Sequence, residues 1–287
     1  MLLALTDEAL LEWRTEVEAL FRSGAIGEIY AALRSPEAAT TIMPSRKTSG
    51  SVAVIGLSGM MSQKPTLFSM IFGGTSTEGF AREVVAALND PSIGAVVMNV
   101  DSPGGSVHGL TEAAAAIRAA RGSKPLLAVA NPMAGSAAYW MASQADKGSV
   151  YATPSGLVGS VGAMVEHVDA SAAIEKSGLK LTVLTYGKNK ALGHRGQPLS
   201  EDAIASTQAT VDYFGRLFES DVAKGRGIST AKVHSDYGEG RVFDAQSGLT
   251  AGLVDGVATL DEVVGKLVGR RPAASGLRAE ADALDFS

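Results

Sequence analysis

The chain has no cysteine in 287 residues, which removes disulfides, thiolate metal sites and a cysteine nucleophile together and fits a reducing compartment. It also has no basic run, and its net charge of −5 is modest. Nucleic acid and anionic membrane are therefore excluded as main partners. The first five residues are apolar, but Asp7 and Glu8 follow at once, so the basic region and long apolar core of a secretory signal are missing. Residues 125–145 and 148–165 carry no charge, yet Asn, Pro, Gly and Ser interrupt both, a pattern of buried strand-turn-helix structure and not of a lipid span. Phosphate-loop, dinucleotide and metalloprotease spacings are absent as well.

What remains is ordinary globular composition, 46% hydrophobic and 19% charged, enough for one large α/β domain or two small ones. An amphipathic helix is predicted over 7–23, capped by Thr6, with Leu10, Trp13, Val17, Leu20 and Phe21 on one face. Such a stripe serves either as a packing helix or as an arm that docks on another subunit. Residues 36–50 read as a linker. From residue 52 the pattern alternates: strand 52–57, helix 77–88, strand 93–100, helix 110–121, strand 126–130, helix from Ser136, strands 149–152 and 162–168, helix 171–176 and strand 179–185. Ser200 then caps a long helix that ends near Gly225, and a last strand-helix pair ends near Gly269. Alternation of this kind predicts a parallel sheet with crossover helices. The expected organisation is an arm and linker over 1–50, a catalytic domain over 51–269 and a flexible tail over 270–287.

The stretch Asn131-Pro132-Met133-Ala134-Gly135-Ser136-Ala137-Ala138 reads as a turn opening a helix of small residues, with Ser136 as its one candidate nucleophile. The strand ending at Val100 runs into Asp101-Ser102-Pro103-Gly104-Gly105, whose paired glycines permit close backbone approach. A serine at a helix start beside a glycine loop is the chemistry of acyl transfer, nucleophile plus oxyanion donors. The base must come from elsewhere. Each of His108, His167, His194 and His234 is a candidate, although none has a partner motif nearby and each reads equally as a surface or hydrogen-bonded core residue. Lys188 and Lys190, in Tyr186-Gly187-Lys188-Asn189-Lys190, are the other option. A lysine acts as a base only when neutral, and bringing an amine from about 10.4 to between about 7 and 8 costs roughly 4 kcal/mol of burial or repulsion.

Four motifs in order, Asp101-Ser102-Pro103-Gly104-Gly105-Ser106-Val107, Met133-Ala134-Gly135-Ser136-Ala137-Ala138-Tyr139, Gly159-Ser160-Val161-Gly162 and Gly187-Lys188-Asn189-Lys190, resemble the signal peptide peptidase A (protease IV) family of serine peptidases over residues 50–268. The resemblance implies an α/β fold of the Clp protease/crotonase type, stacked ββα units with a mainly parallel sheet, and a Ser–Lys dyad that needs no cofactor or metal. By position in the motifs, Ser136 matches the nucleophile and Lys190 the general base, with Lys188 in reserve. Gly104 and Gly105 match the oxyanion loop, the Ala137 amide is the second donor, and Ser160 matches a serine that orients the lysine amine. Ala137 and Ala138 stand where the family often has glycine, and Ala191 stands where many members carry an acid.

Within the family, the missing membrane anchor, the Gly73-Gly74-Thr75-Ser76-Thr77 segment and the Pro198-Leu199-Ser200-Glu201 continuation resemble phage or prophage head proteases that process scaffold and portal proteins. That resemblance implies a homo-oligomer acting on protein or peptide substrates in the bacterial cytoplasm or the assembling head. The tail is then a self-cleavage region or the start of a scaffold segment. A signal peptide peptidase-like enzyme is the alternative. Two other classes stay open: a crotonase-like acyl-CoA enzyme and a non-catalytic assembly scaffold.

Overall fold

The computed structural model describes residues 40–43, 50–66, 69 and 73–269; the expected arm helix over 7–23 and the tail over 270–287 lie outside them. Twelve-residue and thirteen-residue strands set the frame: β2 (Ser51–Ser62) and β4 (Ile93–Gly105) pair in parallel, and β5 (Leu126–Gly135) pairs in parallel with β4. β6 (Val150–Ala152) and β9 (Gly256–Val257) extend the sheet beyond β5, giving the order β1-β2-β4-β5-β6-β9. The short strands β3 (Gly74–Ser76), β7 (Leu157–Gly159) and β8 (Val242–Asp244) attach at the ends, β3 on β2 and the β7–β8 pair on β5. β1 (Thr40–Met43) is antiparallel to β2, so the segment expected as linker contains a strand.

Both faces of the sheet are apolar because successive strand residues point to opposite sides. Ala53, Ile55, Val96, Met98 and Ala128 enter one core, whereas Val52, Val54, Ala95, Val97, Leu127 and Val129 enter the other. Helices α1 (Thr77–Asn89), α2 (Leu110–Ala120), α3 (Ala137–Ala142) and the lower half of α5 (Glu201–Arg226) cover the first face, through Phe80, Val84, Ile117, Trp140, Phe218 and Val222. Val263, Val264 and Val268 of α8 (Leu260–Val268) cover the second. The expected N-cap holds, the Ser200 hydroxyl accepting from the Ala203 amide; at the other end α5 runs through the expected Gly225 and stops at Gly227, in the left-handed region. α6 (Thr230–Asp236) and α7 (Ala245–Ala251), each opened by a side-chain cap, were not legible as helices in the sequence pattern.

Two expected strands do not form. Residues 162–168 and 179–185 lie outside any strand, separated by the short helix α4 (Ser171–Lys176). A strand needs a partner, and β8 already occupies the free side of β7. The apolar side chains of these segments therefore point at solvent: Met164 is 78% exposed, Leu184 90%, and Tyr186 is fully exposed.

Candidate active site

Ser136 sits at the elbow where β5 ends and α3 begins, with φ 51° and ψ −122°. An L-residue pays for that conformation in strain, and such residues gather at functional sites. The predicted turn at Asn131-Pro132 is instead part of β5, which runs through a cis peptide bond there to Gly135. The elbow is held from three sides. The Ser136 amide donates to the Gly159 carbonyl at 2.8 Å, Trp140 N–H donates back to the Ser136 carbonyl at 3.0 Å, and Gly135 pairs with Gly159 in the β5–β7 ladder.

That ladder sets Ser160 beside Ser136. Ser160 also has a positive φ, 54°, and its amide donates to the Arg241 carbonyl at 2.6 Å. Among the described residues only one other non-glycine, Glu239, has a positive φ. Two of the three, Ser136 and Ser160, stand in the sequence motifs.

Gly104 closes the other side. Its φ is 107°, and a Cβ there would lie 2.8 Å from the Ser136 Cβ, 2.9 Å from the Gly135 carbonyl oxygen and 3.0 Å from the Ala137 nitrogen. Only glycine fits. Gly105 is equally constrained, because a Cβ would run into the Met61 backbone. The glycine segment is not the free loop expected from sequence. It continues β4 as far as Gly105, and the Gly104 N–H is already used, donating to the Ser102 hydroxyl at 3.1 Å. Gly105 is placed differently. Met61 pairs with Gly105 and its carbonyl accepts from the Ser106 amide at 2.9 Å, so in a parallel ladder the Gly105 N–H faces away from β2, toward the strand that carries Ser136.

α3 is anchored from behind by a buried polar knot that the sequence did not reveal. Asp221 of α5, 1% exposed, accepts from Trp140 Nε1 at 3.2 Å and pairs with Arg118 at 3.0 Å and Lys224 at 3.3 Å. Arg118 also donates to Gln144 Oε1 at 2.6 Å, and the Trp140 ring stacks on Phe218 with centroids 4.4 Å apart. Tyr139, on the next position of α3, donates to the Leu253 carbonyl at 2.7 Å, and burial pushes its phenol well above the usual range.

The single chain gathers Ser136, Ala137, Gly104, Gly105 and Ser160. Lys188 and Lys190 lie in the exposed 179–190 segment, and neither candidate lysine makes a side-chain hydrogen bond or ion pair with these residues or any others among the described residues. The histidines do not fill the gap. His108 packs edge-on to Phe214, His234 bonds Glu219 and Glu239, the His194 ring accepts from the Gly196 amide, and His167 Nε2 is buried with no hydrogen-bond partner among the described residues. No group of three or more His, Asp or Glu side chains among the described residues is arranged to hold a metal ion. No helix among them is long and apolar enough to cross a membrane.

Comparison with known proteins follows the same residues. Capsid assembly protease C of Escherichia phage lambda is 30% identical over 204 residues, which span 71% of this chain and 46% of that protein. Protease 4 of Salmonella typhi is 28% identical over 226 residues, 76% of this chain and 34% of that protein. The chain thus spans less than half the length of these curated relatives. Among solved structures, the ClpP protease catalytic domain from Plasmodium falciparum matches over 72% of this chain and 85% of that one, with a TM-score of 0.44 and 10% identity. The family model of peptidase family S49 matches residues 118–271, from the Arg118 that braces the serine helix to the end of the last core helix. With more than half of its length so matched, the chain belongs to peptidase family S49.

Proposed function

We propose that the protein is a serine endopeptidase that cleaves peptide bonds through a Ser–Lys dyad and an acyl-enzyme. The observation that carries this reading is the strained elbow: Ser136 is held at a positive φ with a glycine backbone packed against its Cβ. In the proposed reaction the neutral amine of Lys190 takes the Ser136 proton, and the alkoxide attacks the substrate carbonyl. The Gly105 and Ala137 amides receive the charge that develops on the carbonyl oxygen, and water releases the acyl group. Ser160, beside Ser136 and with a hydroxyl that makes no hydrogen bond among the described residues, is suited to orient the incoming amine.

The lysine arrives from a second copy of the chain. Exposed Leu184, Tyr186 and Leu192 flank Lys188 and Lys190 in sequence, and the amine must be desolvated to act as a base, so a neighbouring protomer supplies both the cover and the serine. Ser136→Ala and Lys190→Ala are each expected to lower peptide hydrolysis by at least about 10⁴-fold, while Lys188→Ala keeps most of it. Mixing the two inactive variants restores activity if the dyad forms between protomers. Near wild-type turnover by either Ser136→Ala or Lys190→Ala overturns the assignment.

For the substrate, similarity to a capsid assembly protease supports a head maturation role on scaffold or portal proteins, in the host cytoplasm or the assembling head. Similarity to protease 4 keeps a signal peptide peptidase-like role as the second reading. Mass spectrometry of products from a mixture of capsid scaffold protein and signal peptides, with Ser136→Ala as control, separates the two.

A further inference from the structure

The oxyanion segment contains a second serine with no motif role, and its surroundings are unusually specific. Ser102 is fully buried. Its hydroxyl donates to the Gly59 carbonyl at 2.6 Å and accepts from the Gly104 N–H at 3.1 Å, so its one proton and a lone pair are both in use. The two groups it bridges flank breaks in the sheet. Against β2 the register shifts between Ser58 and Met60, and against β5 it shifts between Val100 and Ser102. A bulge leaves backbone groups without ladder partners and re-aims the residues that follow it, and Pro103, next in line, has no N–H to offer. The hydroxyl ties the two strands together where the register shifts.

We propose that Ser102 is a positioning residue for the oxyanion site, acting through the two glycines. This inference rests on the peptidase reading above and adds which group sets the donor. By engaging the Gly104 N–H, Ser102 fixes the peptide that precedes Gly105 and leaves the Gly105 N–H as the donor from this strand, opposite the Ala137 amide. Without the hydroxyl, the part-buried Gly59 carbonyl and the buried Gly104 N–H lose this partner, and the segment rotates to recover one at the expense of the donor geometry. The cost falls on the step in which charge develops on the substrate oxygen, not on substrate binding.

The test compares the full chain with Ser102→Ala, Ser102→Thr and Ser136→Ala in steady-state hydrolysis of a peptide substrate, at a temperature where circular dichroism finds every variant folded. Ser102→Ala is expected to lower kcat about tenfold, the size of one lost hydrogen bond, with KM changed less than about twofold. Ser102→Thr, which keeps the hydroxyl, recovers most of the loss. A wild-type kcat in Ser102→Ala, or a loss that appears in KM in place of kcat, overturns the inference while Ser136-dependent hydrolysis leaves the peptidase reading standing. Hydrolysis that does not depend on Ser136 overturns the peptidase reading and this inference with it.

Discussion

The elbow around Ser136 and the segment over 162–200 are neighbours in sequence and opposites in physical character. At the elbow the Ser136 amide and carbonyl are both hydrogen-bonded, strands flank it, a buried aspartate braces the helix behind it, and a glycine backbone packs against its Cβ. The lysine segment also carries apolar side chains, yet most of them face water and its strand-like stretches pair with no strand among the described residues. Apolar side chains left in solvent over a contiguous stretch mark a surface made to be covered. On the mechanism proposed above, the serine half of the site is completed by intramolecular folding and the lysine half would be completed by association.

Two large effects sharpen this contrast, the first at Gly104. Gly104→Ala places a methyl against Ser136 and the Ala137 amide in a backbone conformation that alanine resists, and should cost at least about 100-fold in kcat; an alanine variant of wild-type activity would separate the glycine segment from the reaction. Leu184→Asp probes the other region. Because Leu184 is exposed in the single chain, the substitution should shift its stability by no more than about 0.5 kcal/mol, yet it should abolish self-association by sedimentation and peptide hydrolysis with it. An unchanged mass and rate would break the comparison.

Next in size is Asp221→Ala, which leaves Arg118 and the Trp140 N–H without their buried acceptor and should lower stability by about 3 kcal/mol in chemical denaturation. The smallest effect lies between α5 and α6. His234 of α6 is bonded to Glu219 of α5, and that hydrogen bond and charge, with Glu239 adding to them, raise it above its ordinary 6.5. A raised histidine stabilises the fold fully below its unfolded value and loses that contribution as pH rises through the folded one. The melting temperature should therefore fall slightly from pH 6 to pH 8, and Glu219→Gln should flatten the change.

Much of the frame was legible because long apolar runs can only be buried strands. Residues 52–57, 93–100 and 126–130 carry such runs, and Ser200 and the glycine after Arg226 punctuate α5 as their chemistry requires. The elbow serine and the paired glycines were legible as motifs. What escaped depends on contacts between distant residues. β4 and β5 continue through Pro103 and Pro132, which read locally as breaks, because neighbouring strands hold them. Ser102 gains its role from Gly59, 43 residues away, and Asp221 gains its role from Arg118, 103 residues away. Residues 162–168 and 179–185 misled for the converse reason: their local pattern suits a strand, but pairing is decided by what lies alongside.

The dihedral angles of Ser136 carry one more lesson. At φ 51° and ψ −122° the position suits glycine better than serine, and forcing a side chain to live there carries a penalty of about 1 to 3 kcal/mol. A lineage under selection for thermal robustness alone would drift to glycine at this point and become sturdier and inert. Persistence of the hydroxyl against that gradient would distinguish working enzymes from retired copies in any set of related chains.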